Sequence, residues 1–331
     1  MDDVEAWWLR DLEPTMDPDM SRLRARLAVE DAGLPADPTL LPPADGRALF
    51  ERVNLRWNEN RPAVTAEDRI LTPGDADAAG LAPAEGLPVR LYNREGASKG
   101  ALVYLHGGGW ELGSIDSHDG LMRHLARESG LAVLGVGYRL APENPFPAGL
   151  HDAVLTLRWL QQEAPAPRLA IGGDSAGANL ALAAILHEAR AGRPGPAAGL
   201  LFYGVFADMP ASPSQAAFGN GDYTLSTAKM ARYWDWYVPG ASDRSEPLVS
   251  PLYMTEADAA ALPPLFLAGA GLDPLLSDTT ELAARLDAAA ATFEGKIYPG
   301  VIHGFAPMIG HLPAADDLLA DSCAWLRRRF A

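Results

Sequence analysis

Gly173-Asp174-Ser175-Ala176-Gly177 places a serine hydroxyl where an apolar run, Leu169 to Ile171, gives way to a helix-forming one, Leu180 to Arg190. A serine becomes a nucleophile when a sharp strand-to-helix turn pushes its Oγ outward and a base stands beside it. Flanking glycines remove the side chains that would collide as strand and helix approach. The following helix aims its N-terminus, with its dipole and free N–H groups, at the reacting centre. The pentapeptide alone also suits an ordinary strand-to-helix turn, so the rest of the chain has to decide.

Upstream, the apolar run Ala101 to Leu105 opens into His106-Gly107-Gly108-Gly109-Trp110, which is too glycine-rich for a helix or strand. Such a loop suits an oxyanion hole: the N–H groups of Gly107 and Gly108, joined by that of Ala176, are expected to converge on a carbonyl oxygen as it becomes an alkoxide. Downstream, Pro264 to Ala270 is a second apolar run and leads to Asp273, an acid at the end of a strand. Lys296 to Tyr298 then leads to His303, which has Gly300 and Gly304 close on either side. Of the seven histidines, only His303 and His311 follow the serine by enough chain to return from a distant loop, and the glycines favour His303. Asp278 and Asp287 fall inside a helical pattern and are expected to be solvated, which leaves Asp273 as the acid. His106, Asp174, Glu143 and Asp152 are read as loop anchors. In such a set the histidine takes the serine proton, the acid fixes the imidazole, and the acyl-enzyme formed is then hydrolysed by water.

The chain order serine, acid, histidine and the motifs HGGGW at 106–110, YRLAPENPFPAGLHD at 138–152, GDSAGANLA at 173–181, GLDPL at 271–275 and HGF at 303–305 resemble the hormone-sensitive-lipase-like α/β-hydrolases, also called family IV bacterial esterases. The resemblance covers about residues 85–331. It implies Ser175, Asp273 and His303 as catalytic residues, Gly107, Gly108 and Ala176 as oxyanion donors, and no metal or organic cofactor. Ala178 stands where relatives often have glycine, a departure expected to change only packing. The activity implied is that of a serine carboxylesterase on short-to-medium-chain acyl esters. Amidase, deacetylase or lactonase chemistry would use the same residues. A non-catalytic small-ligand-binding protein on this scaffold, as in the plant gibberellin receptors that lack the histidine, is disfavoured by His303.

The elements that must position these groups are strands at 64–71, 88–92, 101–105, 131–136, 168–172, 200–206, 264–269 and 295–298, the first two forming an antiparallel edge of an otherwise mostly parallel sheet flanked by helices. Residues 1–50, with helices expected at Val4 to Leu12 and Met20 to Ala32 and proline breaks after them, form no strand. A second non-strand segment, about 208–250, interrupts the alternation within a catalytic domain spanning 51–331. In relatives such segments pack together as a helical cap. Trp110, Phe218, Trp234, Ile302 and Phe305 are the candidate substrate contacts, although aromatics at helical spacing equally suit a plain core. Trp7 and Trp8 carry the same two readings. Ser226 and Lys229 match a Ser-x-x-Lys pattern, but a serine before the helical run Thr227 to Tyr237 suits an N-cap.

Composition fits a globular enzyme: 331 residues, 48% hydrophobic, with one cysteine, Cys323, which excludes an internal disulfide. The formal net charge of −16 makes nucleic acid and anionic membranes poor partners. No run is long enough to insert in a membrane, and the acidic N-terminus lacks a basic segment followed by an apolar one. The expectation is a cytoplasmic protein acting on a small acyl ester and water. By family analogy, a homodimer would form through the strand at 295–298 and the C-terminal helix.

Overall fold

The computed structural model describes residues 14–72, 81, 83, 85–163, 168–240 and 243–331. The expected helix Val4 to Leu12, with Trp7 and Trp8, lies outside the described residues. In chain order the main elements are α1 (Pro18–Glu30), α2 (Pro43–Asn54), β1 (Ala66–Leu71), β2 (Leu87–Tyr92), β3 (Ala101–Leu105), α3 (Asp119–Ser129), β4 (Ala132–Val136), α4 (Ala148–Glu163), β5 (Leu169–Asp174), α5 (Ala176–Arg190), β6 (Ala198–Phe202), α6 (Pro213–Phe218), α7 (Thr227–Tyr237), α8 (Glu256–Ala260), β7 (Leu265–Leu272), α9 (Leu276–Ala288), β8 (Phe293–Ile302) and α10 (Pro313–Phe330).

The strands form one eight-stranded sheet in the order β1-β2-β4-β3-β5-β6-β7-β8. β1 and β2 pair antiparallel, as do β2 and β4; every later pairing is parallel. The central strands β3 to β7 are buried along their whole lengths, as expected for a parallel sheet covered on both faces. Alternation then sorts side chains: Ala101, Val103 and Leu105 join the core that contains α4 and α5, whereas Leu102 and Tyr104 join the one that contains α3 and α10.

All eight expected strands are present, with shifted ends. β6 stops at Phe202 instead of continuing to 206, because Tyr203 turns to φ +36° and takes the chain out of the sheet. β7 and β8 run further than their apolar patterns suggest, to Leu272 and Ile302, which carries the chain directly to Asp273 and His303. Asp278 corrects its expectation: it is buried in α9 and accepts from the Phe206 and Ala207 N–H groups at 2.7 and 3.0 Å, so it ties down the loop that leaves β6. Asp287 is exposed as expected. Outside the sheet, α1 and α2 come from the N-terminal segment, with α2 running through residue 50, and α6 and α7 come from 208–250. Among the described residues, no helix is long and apolar enough to cross a membrane.

Candidate active site

Ser175 stands between the last residue of β5 and the first of α5 with φ +54° and ψ −119°, a strained turn that projects its side chain. Glycine is required on both sides. A Cβ at Gly173 or at Gly177 would overlap the Leu105 carbonyl oxygen, because β3 and the start of α5 are in backbone contact there. β7 delivers Asp273 and β8 delivers His303. His303 Nε2 lies 2.9 Å from Ser175 Oγ, and its Nδ1 lies 2.7 Å from Asp273 Oδ2. Asp273 is fully buried, and its other oxygen accepts from the Leu275 N–H at 2.8 Å. The Tyr203 ring meets the His303 ring edge-on at 5.0 Å, and its hydroxyl accepts from Ala306 N–H, which fixes the loop after the histidine. The structure therefore brings the three sequence-predicted residues together in one line of hydrogen bonds, with the serine's oxygen at the end that faces a cavity.

The glycine loop requires a correction. The Gly107 N–H donates to Asp174 Oδ1 at 3.0 Å and is not available to a substrate. Asp174 also accepts from Tyr104 Oη at 3.0 Å and faces His118 Nε2 at 3.5 Å. Burial pushes its carboxyl up, but His118, Tyr104 and His106 outweigh that and hold it below the usual carboxylate range. Asp174 is thus an ionised anchor beneath the loop. His106 Nδ1 lies 2.9 Å from the Gly107 carbonyl oxygen and its ring stacks on Tyr138 at 4.4 Å; burial lowers it to about 3, so it is neutral, the loop-fixing part expected of it. The Gly108 carbonyl accepts from Glu111 and Leu112 N–H at 3.2 and 2.8 Å. Because that carbonyl shares a peptide plane with Gly109 N–H, the latter points the opposite way. The N–H groups of Gly108, Gly109 and Ala176 donate to no other described residue.

The other loop anchors divide. Asp152 grips Arg139 through both oxygens, and Glu143 binds Arg47 of α2. Arg47 also donates to the Glu111 and Ala141 carbonyls, joining α2 to the glycine loop. The Glu111 side chain is fully buried, and neither carboxyl oxygen hydrogen-bonds another described residue; burial pushes it up to about 7.

A cavity of about 530 Å³ opens over Ser175, His303 and Gly107 to Gly109. α1 contributes Leu27 to its wall, α2 contributes Leu49, Phe50 and Val53, and α7 contributes Lys229, Met230 and Tyr233. Of the five candidate substrate contacts, Ile302 alone lines it. Trp110 is buried and stacks on Tyr237 at 4.2 Å; Trp234 packs beside them. Phe305 is buried against Tyr203 and Tyr298, and Phe218 packs on Tyr223. These four aromatics hold elements together and do not reach the cavity. The lining contributed by α1 and α2, such as Leu27, Leu49 and Val53, carried no signal beyond ordinary amphipathic periodicity. Ser226 caps α7 by accepting from Lys229 N–H at 3.1 Å, as its position suggested. Cys323 is buried, which pushes its thiol up to about 12 and makes it unreactive.

Comparison with known proteins agrees with this architecture. Residues 102–307 match a family model described as the alpha/beta hydrolase fold. The chain is 32% identical to an acetyl esterase of Salmonella paratyphi B over 301 residues, covering 87% of this chain and 89% of that protein. Among solved structures, it is similar to an ester hydrolase from the metagenome of Lake Arreo, studied with a bipyridine phosphonate derivative, at 32% identity and a TM-score of 0.86, covering 96% of this chain and 99% of the other. It is likewise similar to an esterase of Pyrobaculum calidifontis at 28% identity and a TM-score of 0.82, covering 95% and 98%. With the sheet, the serine turn and the glycine loop already described, the chain belongs to the hormone-sensitive-lipase-like esterases of the α/β-hydrolase superfamily and is a carboxylic ester hydrolase.

Proposed function

We propose that the protein hydrolyses short-to-medium-chain acyl esters through Ser175, His303 and Asp273 and a covalent acyl-enzyme. The observation that carries this reading is the continuous contact from Ser175 Oγ through the His303 ring to buried Asp273, at 2.9 and 2.7 Å. His303 Nε2 accepts the serine proton as Oγ attacks the ester carbon, while Asp273 holds the Nδ1 proton and stabilises the imidazolium. The carbonyl oxygen becomes an oxyanion and accepts from Gly108, Gly109 and Ala176, the N–H groups left without acceptors. His303 then protonates the departing alkoxide. Water attacks the acyl-enzyme with His303 as base, and the acid product leaves Ser175 restored.

The helices α1, α2 and α7 act as a cap in this reading, since their side chains wall the cavity above the serine. A space of about 530 Å³ favours small esters, in keeping with the acetyl esterases among the relatives. Hydrolysis of p-nitrophenyl esters from acetate to dodecanoate tests the proposal. The wild type is expected to prefer the shorter members, and Ser175→Ala is expected to lose about 10⁴-fold or more in kcat with its circular dichroism unchanged. Activity that survives in Ser175→Ala would remove the serine from the mechanism.

A further inference from the structure

Lys229 is a cation in the wall of a cavity that combines aliphatic side chains with Arg24, Arg56 and the carboxylates of Asp31 and Asp174. Its place relative to the reacting atoms follows from α7. Tyr233 lies directly on the oxyanion loop: a Cβ added to Gly109 would overlap the Tyr233 ring. Lys229 precedes Tyr233 by four residues on the same face of the helix, which separates the two along the wall by about 5–6 Å. The root of the Lys229 side chain therefore stands one helical turn along the wall from the ring that packs on Gly109.

Its partners leave it with capacity. The Lys229 side chain is 12% exposed, and among the described residues it meets one carboxylate, Asp37 Oδ1, at the long distance of 3.5 Å. Asp37 is already served by others. The same oxygen accepts from Thr39 N–H at 3.0 Å and Thr39 Oγ1 at 2.7 Å, and Oδ2 is bound by Arg232. One carboxylate thus faces two cations, and the ammonium has three donors for one weak contact. Burial lowers Lys229 while Asp37 supports its charge. Neighbouring cations of the wall are differently placed: Arg56 is bound to Glu30 and Asp31, and Arg24 donates to the Asp222 carbonyl. Thr224, an exposed β-branched residue held at φ +77°, also contributes to the lining.

We propose that Lys229 binds a carboxylate carried by the ester substrate, about one helical turn from the scissile carbonyl. The preferred substrates are then hemiesters of dicarboxylic acids, or esters whose alcohol part bears the carboxylate, with a spacer of a few carbons. This rests on the esterase reading of the same cavity and narrows it to anionic esters.

Two matched pairs test it in wild type, Lys229→Met and Lys229→Arg: p-nitrophenyl hexanoate with the mono-p-nitrophenyl ester of adipic acid, and phenyl butyrate with 4-carboxyphenyl butyrate. In one pair, Lys229→Met is expected to lower the anionic-to-neutral ratio of kcat/KM about tenfold, equivalent to about 1.4 kcal/mol. The loss should lie in KM, and Lys229→Arg should retain most of the preference. The pair that responds identifies the side of the ester that carries the charge. An unchanged ratio in both pairs, with Lys229→Met folded by circular dichroism and still hydrolysing the neutral esters, would overturn the role of Lys229. Absence of hydrolysis of all four esters by the wild type would overturn the esterase reading itself, and this proposal with it.

Discussion

Gly109 joins two demands in one residue. Its φ of +62° is a left-handed conformation that side chains resist, and the Tyr233 ring occupies the space a Cβ would need. Gly109→Ala is therefore expected to displace the loop and lower kcat about 100-fold, the scale of a lost oxyanion donor, with a much smaller change in KM. Steady-state kinetics on p-nitrophenyl butyrate check this; an unaltered kcat would show that Gly109 N–H takes no part. At this scale the sequence revealed what depends on neighbours along the chain. Ser175, Asp273 and His303 were legible because each sits at the end of a strand, where local pattern reveals both strand and turn. The role of Gly107 was not legible, because its N–H is claimed by Asp174, 67 residues away, through a contact that no spacing encodes. Trp110, Phe218, Trp234 and Phe305 suited a pocket or a plain core equally in the sequence, and they pack in the core, because aromatic spacing marks a buried face without saying what covers it.

At the scale of elements, the cavity is a product of helices from two separate segments meeting above one sheet edge. α7 lends it Met230 and Tyr233, while α1 and α2 close the other sides. Met230 is buried at this wall, so Met230→Trp adds volume where an acyl chain would lie. We expect it to preserve acetate hydrolysis within about threefold while reducing octanoate at least tenfold, since excess volume in a packed space costs roughly 1–3 kcal/mol. The chain-length profile measures this, and a uniform loss across the series would indicate misfolding in place of a shortened pocket. Strand positions were legible from apolar runs, their ends less so. β6 looked longer because Val205 and Phe206 continue the apolar pattern, yet Tyr203 has already left the sheet. The carboxylate that holds this departing loop, Asp278, looked solvated because a helical repeat cannot show which turn faces a neighbouring loop.

Across the whole molecule, Glu111 couples the stability of the fold to pH. It lies among the glycine loop, Arg47 of α2 and α7, and burial raises its carboxyl from 4.5 to about 7. The folded chain then holds this proton more tightly than the unfolded one, so its contribution to stability is complete below about pH 4.5 and is lost as pH rises towards 7. Glu111→Gln removes that loss. At pH 8 the variant is expected to be more stable by roughly 2 kcal/mol, and near pH 4 the two should coincide. Thermal melts at both pH values decide it, and a pH-independent gap would assign the effect to packing.

The bond from Asp17 N–H to the Gly300 carbonyl, 2.9 Å, links the beginning of α1 to the strand that presents His303. In order of synthesis the helix residue precedes its partner on the strand by 283 positions, from 17 to 300. A growing polypeptide therefore carries Ser175 for 128 residues, from 175 to 303, before the proposed base His303 is made, and α1 waits equally for its docking site on β8. A chain cut short before Gly300 lacks both this anchor for α1 and the histidine that faces Ser175.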